Sequence, residues 1–258
     1  MNSTTLPITV VIICKNAAAT ILHTITQAKQ LTPLIIVADT GSTDGTVQLL
    51  QQHNIAMHSI PWHGFGPTKN LANALATTPW ILSLDADEAI DEQLCNSIRN
   101  INFTNVHKVY AIPYLNYIGS TPLHYGEWSG DKHIRLFHKQ HVQWNNNTVH
   151  EQLIIPSSTQ VTKLTGYIHH STSPTIAAMR HKMDGYARYN AKHYYDTKKK
   201  GAYIKKYTST IFNFILNYIM KLGFADGMLG LQVALENARY TYKKYNYLQQ
   251  LNKGISID

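Results

Sequence analysis

Two cysteines in 258 residues, Cys14 and Cys95, leave no disulfide framework to staple the chain, and neither has the spacing of a metal-binding pair. Both are expected to be reduced and buried, as in a cytoplasmic protein. No stretch reaches the roughly 20 apolar residues of a membrane-spanning helix. Met1 to Pro7 lacks Lys and Arg, and small residues are missing ahead of Cys14, so neither a secretory signal nor a lipid-modified cysteine is expected. Gly-x-Gly-x-x-Gly and Gly-Lys-Ser/Thr are both absent, which removes the main support for dinucleotide and P-loop readings. Repeats and low-complexity tracts are missing too. With 44% hydrophobic and 15% charged residues, the chain has the composition of an ordered globular protein long enough for a sizeable core.

Acid is scarce, and unevenly so. Residues 1–170 carry 9 Lys/Arg against 10 Asp/Glu, whereas residues 171–258 carry 14 against 5. The excess charge therefore sits in the C-terminal third and points to an anionic partner such as a membrane surface. Nucleic acid fits the charge alone, but no nucleic-acid motif is present, and none is expected as a partner.

The first hundred residues alternate strand and helix. Ile8 to Cys14 reads as a buried strand, Asn16 as the cap of a helix reaching about Ala28, and Leu34 to Ala38 as a second strand. A helix over Val47 to Gln52, a strand over Ile55 to Ile60 and a helix over Thr68 to Ala76 follow. Trp80 to Leu84 is an apolar run that ends in Asp85, Ala86, Asp87 and Glu88. This rhythm predicts a mostly parallel, Rossmann-like α/β sheet. After Asp91 come a helix over Glu92 to Ile101 and strand-like runs at Val109–Tyr117, Lys132–His138, Val142–Trp144, Glu151–Ile155 and Lys163–His169, read as antiparallel additions. From Thr175 the chain reads as helical. Within that part, Ile211 to Leu222 is strongly apolar apart from Asn213, Asn217 and Lys221 at steps of four, a pattern that suits an interfacial or packed helix.

In open α/β sheets ligands bind beyond the carboxyl ends of the strands. Asp39, at the end of the second strand, with Ser42 and Asp44 in the same turn, reads either as an ordinary turn with a helix cap or as an acceptor of hydrogen bonds from a base or ribose. Asp85 and Asp87 offer hard oxygen ligands at a spacing that suits Mg²⁺ or Mn²⁺ bridging a diphosphate. Lys69 and Asn70, at an expected helix start, are either phosphate contacts or ordinary helix surface.

Residues 8–46 together with Leu-Asp-Ala-Asp-Glu at 84–88 resemble the nucleotide-sugar half of a family-2 inverting glycosyltransferase of GT-A fold. Later segments narrow the likeness. Trp128-Ser-Gly-Asp131-Lys-His-Ile-Arg135-Leu-Phe137, Val149-His150-Glu151, Ile168-His169 and Gly223-Phe-Ala-Asp-Gly227 are similar to the lipopolysaccharide core β-1,4-glucosyltransferases that act on an inner-core heptose. One departure stands out. Where many relatives have acidic residues after the first-strand Asn, this chain has Ala17-Ala18-Ala19.

The resemblance implies a GT-A catalytic domain over 1–172, with a nucleotide-sugar half (1–100) and an acceptor half (101–172), and a basic helical extension over 173–258. It implies a UDP-sugar donor, with Asp39 and Asp44 around the uracil and Mg²⁺ or Mn²⁺ held by Asp85 and Asp87, with His150 as a further ligand. Asp131 falls at the general base, with Glu127 as its rival, and Arg135 and Glu151 contact acceptor or phosphate. The acceptor would be a lipid A-core saccharide, and the enzyme would lie on the cytoplasmic side of the inner membrane, its basic helices against anionic lipid. Competing readings are a related transferase with another sugar or acceptor, a nucleotidyltransferase, and a catalytically silent nucleotide-sugar-binding protein.

Overall fold

The structure, a computed structural model, describes residues 6–147, 151–199 and 202–257. The chain divides into two compact units, Met1–Tyr114 with Asp131–His170, and Leu115–Gly130 with Ser171–Asp258. The helical part of the second unit runs from Ser171. The unit also takes in Leu115–Gly130, which the sequence reading assigned to the acceptor half.

The first unit is built on a sheet whose central strand, β1 (Ile8–Cys14), is buried along its whole length. That is why its sequence is apolar throughout instead of alternating: a parallel strand covered on both faces has no solvent side. Ile8, Val10 and Ile12 pack into one core with Ile21, Ile25 and Leu84, while Val11 and Ile13 face the other way, onto Ala72, Ile81 and Phe137. β2 (Ile35–Asp39) and β4 (Trp80–Asp85) flank β1 in parallel, and β3 (Met57–Ser59) extends the sheet parallel to β2. β8 (Lys132–His138) joins β4 antiparallel, and β6 (Lys108–Ile118) joins β8 antiparallel. The strand order is β3-β2-β1-β4-β8-β6-β12-β5, with β5 (Glu88–Ile90) and β12 (Ile168–Ser173) paired antiparallel. β11 (Gln160–Lys163) departs from the antiparallel expectation by pairing parallel to β6. β9 (Gln143–Trp144) and β10 (Leu153–Ile154) form a separate two-stranded ribbon.

Helices cover the sheet. α1 (Ile21–Leu31) buries Ile21, Thr24, Ile25, Ala28 and Leu31, one helical stripe. Asn16 is not its cap: Asn16 adopts a left-handed φ of 54°, Thr20 occupies the N-cap position, and the Asn16 side chain turns to the neighbouring loop. α2 spans Thr46–Gln52, and α4 (Glu92–Arg99) is capped by Asp91, which accepts from Leu94 N at 2.7 Å. α3 (Phe65–Ala74) starts three residues earlier than expected, which carries Lys69 from the helix start into its buried face. Gly66 permits the close approach of α3 to the chain after β9, because a Cβ there would lie 2.0 Å from the Asn145 carbonyl oxygen.

In the second unit the end of β6 forms a hairpin with β7 (Thr121–Leu123), a strand the sequence did not announce. α5 (Ile176–Asp196) begins at the Thr175 cap, as the helical reading anticipated. α6 (Ala202–Phe214) continues into a π-helical turn at Ile215–Met220, a short 3₁₀ turn at Gly223–Asp226 follows, and α7 spans Gly227–Asn252. Among the described residues no single helix is long and apolar enough to cross a membrane. Ile118, Leu123, Met179 and Val233 form one small core, and Ala191, Ala202, Leu248 and Ile257 another. Polar ties join α5 to α7. Arg180 donates to Glu236 at 2.5 Å, and Asp184 accepts from Lys243, from the Tyr247 hydroxyl at 2.9 Å and from Arg188 at 3.2 Å.

Burial alone would raise the Asp184 carboxyl, but the hydrogen bonds from Lys243, Tyr247 and Arg188 bring it down to about 2. A carboxylate depressed in the folded state stabilises above its unfolded value of about 3.9 and loses that contribution as pH falls toward the folded one. Asp184→Asn should therefore cost about 1 kcal/mol at neutral pH, given the partial solvent screening of these groups. In denaturant titrations the gap between wild type and variant should close between about pH 4 and pH 2. A gap that stays constant across that range would remove Asp184 as the source.

Candidate active site

Strand register creates the site. In the ladder Cys14 lies opposite Asp39 on one side, and Ile13 lies opposite Asp85 on the other, so both carboxylates emerge at the same end of β1. This is the carboxyl edge of the parallel strands, where a ligand has room to sit outside the sheet.

Asp39 is 3% exposed and heavily hydrogen-bonded. Its Oδ2 accepts from Gly41 N at 2.9 Å and Ser42 N at 3.1 Å, and its Oδ1 accepts from the Ser42 hydroxyl and the Cys14 thiol. Burial would raise its carboxyl, but these donors outweigh burial and hold it below the usual range. Burial, reinforced by the Asp39 charge, pushes the Cys14 thiol up to about 12, so it remains a protonated donor and no nucleophile. Asp44 binds the loop to the chain after β1: its oxygens accept from Ala18 N at 3.1 Å and from Thr46 N at 3.0 Å. Asn16 N donates to the Ser42 hydroxyl at 2.9 Å, and Asn16 Oδ1 accepts from Thr43 N at 2.7 Å. Ala17 and Ala18 thus contribute backbone donors to Thr46 and Asp44, respectively.

Asp85 sits between two cations. Lys69 Nζ lies 3.1 Å from Oδ1 and Arg135 Nη2 lies 3.1 Å from Oδ2. Burial opposes ionisation, yet Lys69 and then Arg135 hold the Asp85 carboxyl far below the usual carboxylate range. Lys69 is 2% exposed, packs over the Trp144 ring at 4.7 Å and makes a second ion pair with Glu151 at 3.1 Å. Its charge is taken up by two carboxylates and its side chain is buried, so it is not the ordinary helix surface that was one of the two readings of the sequence. Asn70 exchanges hydrogen bonds with the Trp144 backbone, donating to its carbonyl at 2.8 Å and accepting from its N–H at 3.0 Å. Its amide therefore anchors β9.

Arg135 reaches three acceptors: Asp85, Glu88 at 2.7 Å and the Tyr114 hydroxyl at 2.5 Å. Glu88 was named in the 84–88 motif but given no role from the sequence. It is 1% exposed and accepts from Asp85 N at 2.9 Å and the Tyr114 hydroxyl at 2.9 Å. Burial pushes its carboxyl up against the pull of Arg135. Its place directly after the Asp-x-Asp pair was a usable signal, but its partners lie 26 and 47 residues away.

Asp87 is the open member of the pair, with 38% of its side chain exposed and His170 Nε2 at 3.5 Å. His170, on β12, was not singled out in the sequence. The proposed ligand His150 lies outside the described residues. Among the described residues no three His, Cys, Asp or Glu side chains cluster closely enough to hold a metal unaided. Asp87 with His170 nevertheless fits a Mg²⁺ or Mn²⁺ that takes its remaining ligands from a diphosphate and water, as such ions usually do.

The two candidate bases fall in different units. Asp131 immediately precedes β8, and its carbonyl accepts from Tyr114 N at 2.9 Å; burial and then the Arg135 charge hold the nearby His133 below its usual range against the opposing pull of Asp131. Glu127 belongs to the second unit, where Asn217 Nδ2 donates to it at 3.3 Å.

The sequence profile described as "Glycosyl transferase family 2" matches residues 9–186, well over half of the chain. The chain belongs to glycosyl transferase family 2. Its mixed sheet with flanking helices is the GT-A arrangement, and the protein is a glycosyltransferase using a nucleotide sugar. Similar proteins include an uncharacterized glycosyltransferase of Rickettsia prowazekii, 26% identical over 237 residues, covering 85% of this chain and 78% of its own. LpsC of Rhizobium meliloti, a lipopolysaccharide core biosynthesis glycosyltransferase, is 26% identical over 247 residues, covering 92% of this chain and 90% of its own. Among solved structures, S. aureus TarS 1-349 in complex with UDP aligns over 97% of this chain and 93% of its own, at 13% identity and a TM-score of 0.44.

In this glycosyltransferase Arg135→Met should be severely destabilising. It strands Glu88 as a buried carboxyl without its cation, a change that typically costs about 3–5 kcal/mol. The double variant Arg135→Met/Glu88→Gln should recover part of that loss in thermal unfolding. A double variant no more stable than the single one would show that Arg135 acts elsewhere.

Proposed function

We propose that this glycosyltransferase moves glucose from UDP-glucose, with inversion, onto a heptose of a nascent lipopolysaccharide or lipooligosaccharide core. The observation that carries the reading is the placement of Asp39 and Asp85 on either side of the end of β1, with Asp87 as the exposed carboxylate beyond them. The likeness to LpsC across nearly the whole of both chains supports the acceptor class.

In this reading the Asp39 loop, with Ser42 and Asp44, receives the uridine. Asp87, with His170, would hold a divalent ion, which would supply positive charge to stabilise the diphosphate leaving group. Asp85 is fixed by Lys69 and Arg135 and sets the height of the turn that presents Asp87. Asp131 takes the proton from the acceptor hydroxyl as it attacks the anomeric carbon in line with the leaving UDP. A single displacement needs one base and leaving-group stabilisation, with no covalent nucleophile. Both cysteines are buried and free, and burial raises both thiols, which agrees with that economy. The basic helices bring the enzyme to the anionic surface that carries the acceptor.

UDP release from a panel of UDP-sugars, with heptose-containing truncated lipopolysaccharide as acceptor, tests the whole reading. Acceptor-dependent release that is highest with UDP-glucose and lost on chelation is expected. Release led by another sugar overturns the donor, and release without heptose overturns the acceptor. Asp131→Asn should lower turnover by about 10²–10⁴-fold while leaving UDP affinity within about twofold. A collapse of UDP affinity instead would move Asp131 to the donor site, and unchanged turnover would shift the base to Glu127.

A further inference from the structure

The segment from α6 through the 3₁₀ turn is built inside out. On a soluble helix the polar stripe faces water, but here Asn217 is 2% exposed. Asn217 donates inward to Glu127 and to the Asn213 carbonyl. The apolar side chains face outward. Ile204, Ile211, Phe212, Met220, Phe224 and Met228 are each between 51% and 70% exposed. They follow the outer surface of α6 and continue around the bend, where the helix pair Ala202–Met220 and Gly223–Asn252 meets at 69°. The bend is fixed by close backbone packing: Leu222 takes a left-handed φ of 57°, and a Cβ on Gly230 would fall 1.9 Å from the Gly223 carbonyl oxygen. A contiguous apolar surface of this kind on a fixed scaffold marks an interaction site.

Charge selects the partner. Residues 197–225 contain six lysines and no Asp or Glu. Exposed Lys199, Lys205 and Lys221 lie along the same segment as the apolar ridge, and Tyr203 and Tyr207 are exposed near the start of α6. A second copy of the chain would bring the same positive charge against itself. An anionic bilayer supplies the opposite charge to the lysines, hydrocarbon to the ridge and a headgroup boundary to the tyrosines.

We infer that the outer face of α6, the π turn and the 3₁₀ turn inserts into the interfacial region of an anionic lipid bilayer, anchoring the enzyme as a monotopic wedge. The inference deepens the membrane-surface reading above, and rests on it for the side of the membrane but not for the contact itself. It replaces simple electrostatic adsorption by basic helices with burial of an apolar ridge, aided by the lysines. The two differ in salt dependence. Adsorption weakens steeply as ions screen it, whereas apolar insertion persists.

The test is co-sedimentation of the full chain with vesicles of phosphatidylcholine mixed with phosphatidylglycerol, at low salt and near 0.5 M salt. Wild type should remain largely vesicle-bound at high salt. Phe212→Glu/Met220→Glu should lose at least tenfold in partitioning with unchanged thermal unfolding, because both side chains are exposed. Phe224→Trp should show a blue-shifted emission that lipid-borne quenchers reduce. Binding abolished by salt, or partitioning unchanged in the double variant, overturns the insertion. A dimer in analytical ultracentrifugation that dissociates in the double variant would assign the ridge to a second copy and overturn it as well. UDP release onto a delipidated, water-soluble core oligosaccharide keeps the two readings apart. Full activity of the double variant there, with loss of vesicle binding, is expected, while inactivity of wild type there leaves vesicle binding as the readout of the ridge alone.

Discussion

The candidate active site depends on one chain of alternating charge. Glu151, Lys69, Asp85, Arg135 and Glu88 alternate in sign, with contacts of 2.7–3.1 Å from each to the next. They come from α3, β4, β5, β8 and the start of the β10 segment, so the same contacts that neutralise the charges also fix five pieces of backbone against one another. Buried ion pairs are weak sources of net stability, since desolvation offsets most of the attraction, but removing one member leaves an uncompensated charge. The chain therefore ties these backbone segments together more than it adds net stability.

That constraint separates the two aspartates of the Asp-x-Asp pair by environment. Asp85 lies between two protein cations, whereas Asp87, two residues on, faces His170; their side chains are 32% and 38% exposed. Two identical side chains on one short turn thus meet different partners, two cations for Asp85 and one imidazole for Asp87. The Asp39 loop shows the same division. Asp39 and Asp44 are occupied by donors of their own loop and of the residues after β1, which presents the loop as a rigid shelf. The loop and the turn therefore lie at one sheet edge, each held by its own hydrogen bonds and ion pairs.

Much of this was legible in the residues. The all-apolar run of β1 announces a strand buried on both faces, and the abrupt change from Leu84 to Asp85 announces its neighbour's carboxyl edge. The partners were hidden, because pairing between Asp85 and Arg135 spans 50 residues and depends on β8 lying next to β4, which no local pattern encodes. Lys69 was misplaced because α3 begins at Phe65, and a shift of three residues turns a helix-start lysine into a buried one. Asn16 looked like a cap because Asn caps helices, but the same side chain also tolerates left-handed backbone, and here that property prevailed. The apolar Ile211 to Leu222 segment was recognised, yet which of its faces met water could only be seen once Asn217 was found buried.

The most direct test of the division between the two aspartates is calorimetric titration of UDP with and without Mn²⁺, comparing wild type with Asp87→Asn. Mn²⁺ should tighten UDP binding to wild type at least tenfold, and this gain should vanish in the variant while its unfolding temperature stays unchanged. A variant that keeps the Mn²⁺ gain, or one that unfolds early, would contradict the assignment of Asp87 as the open, ligand-facing carboxylate.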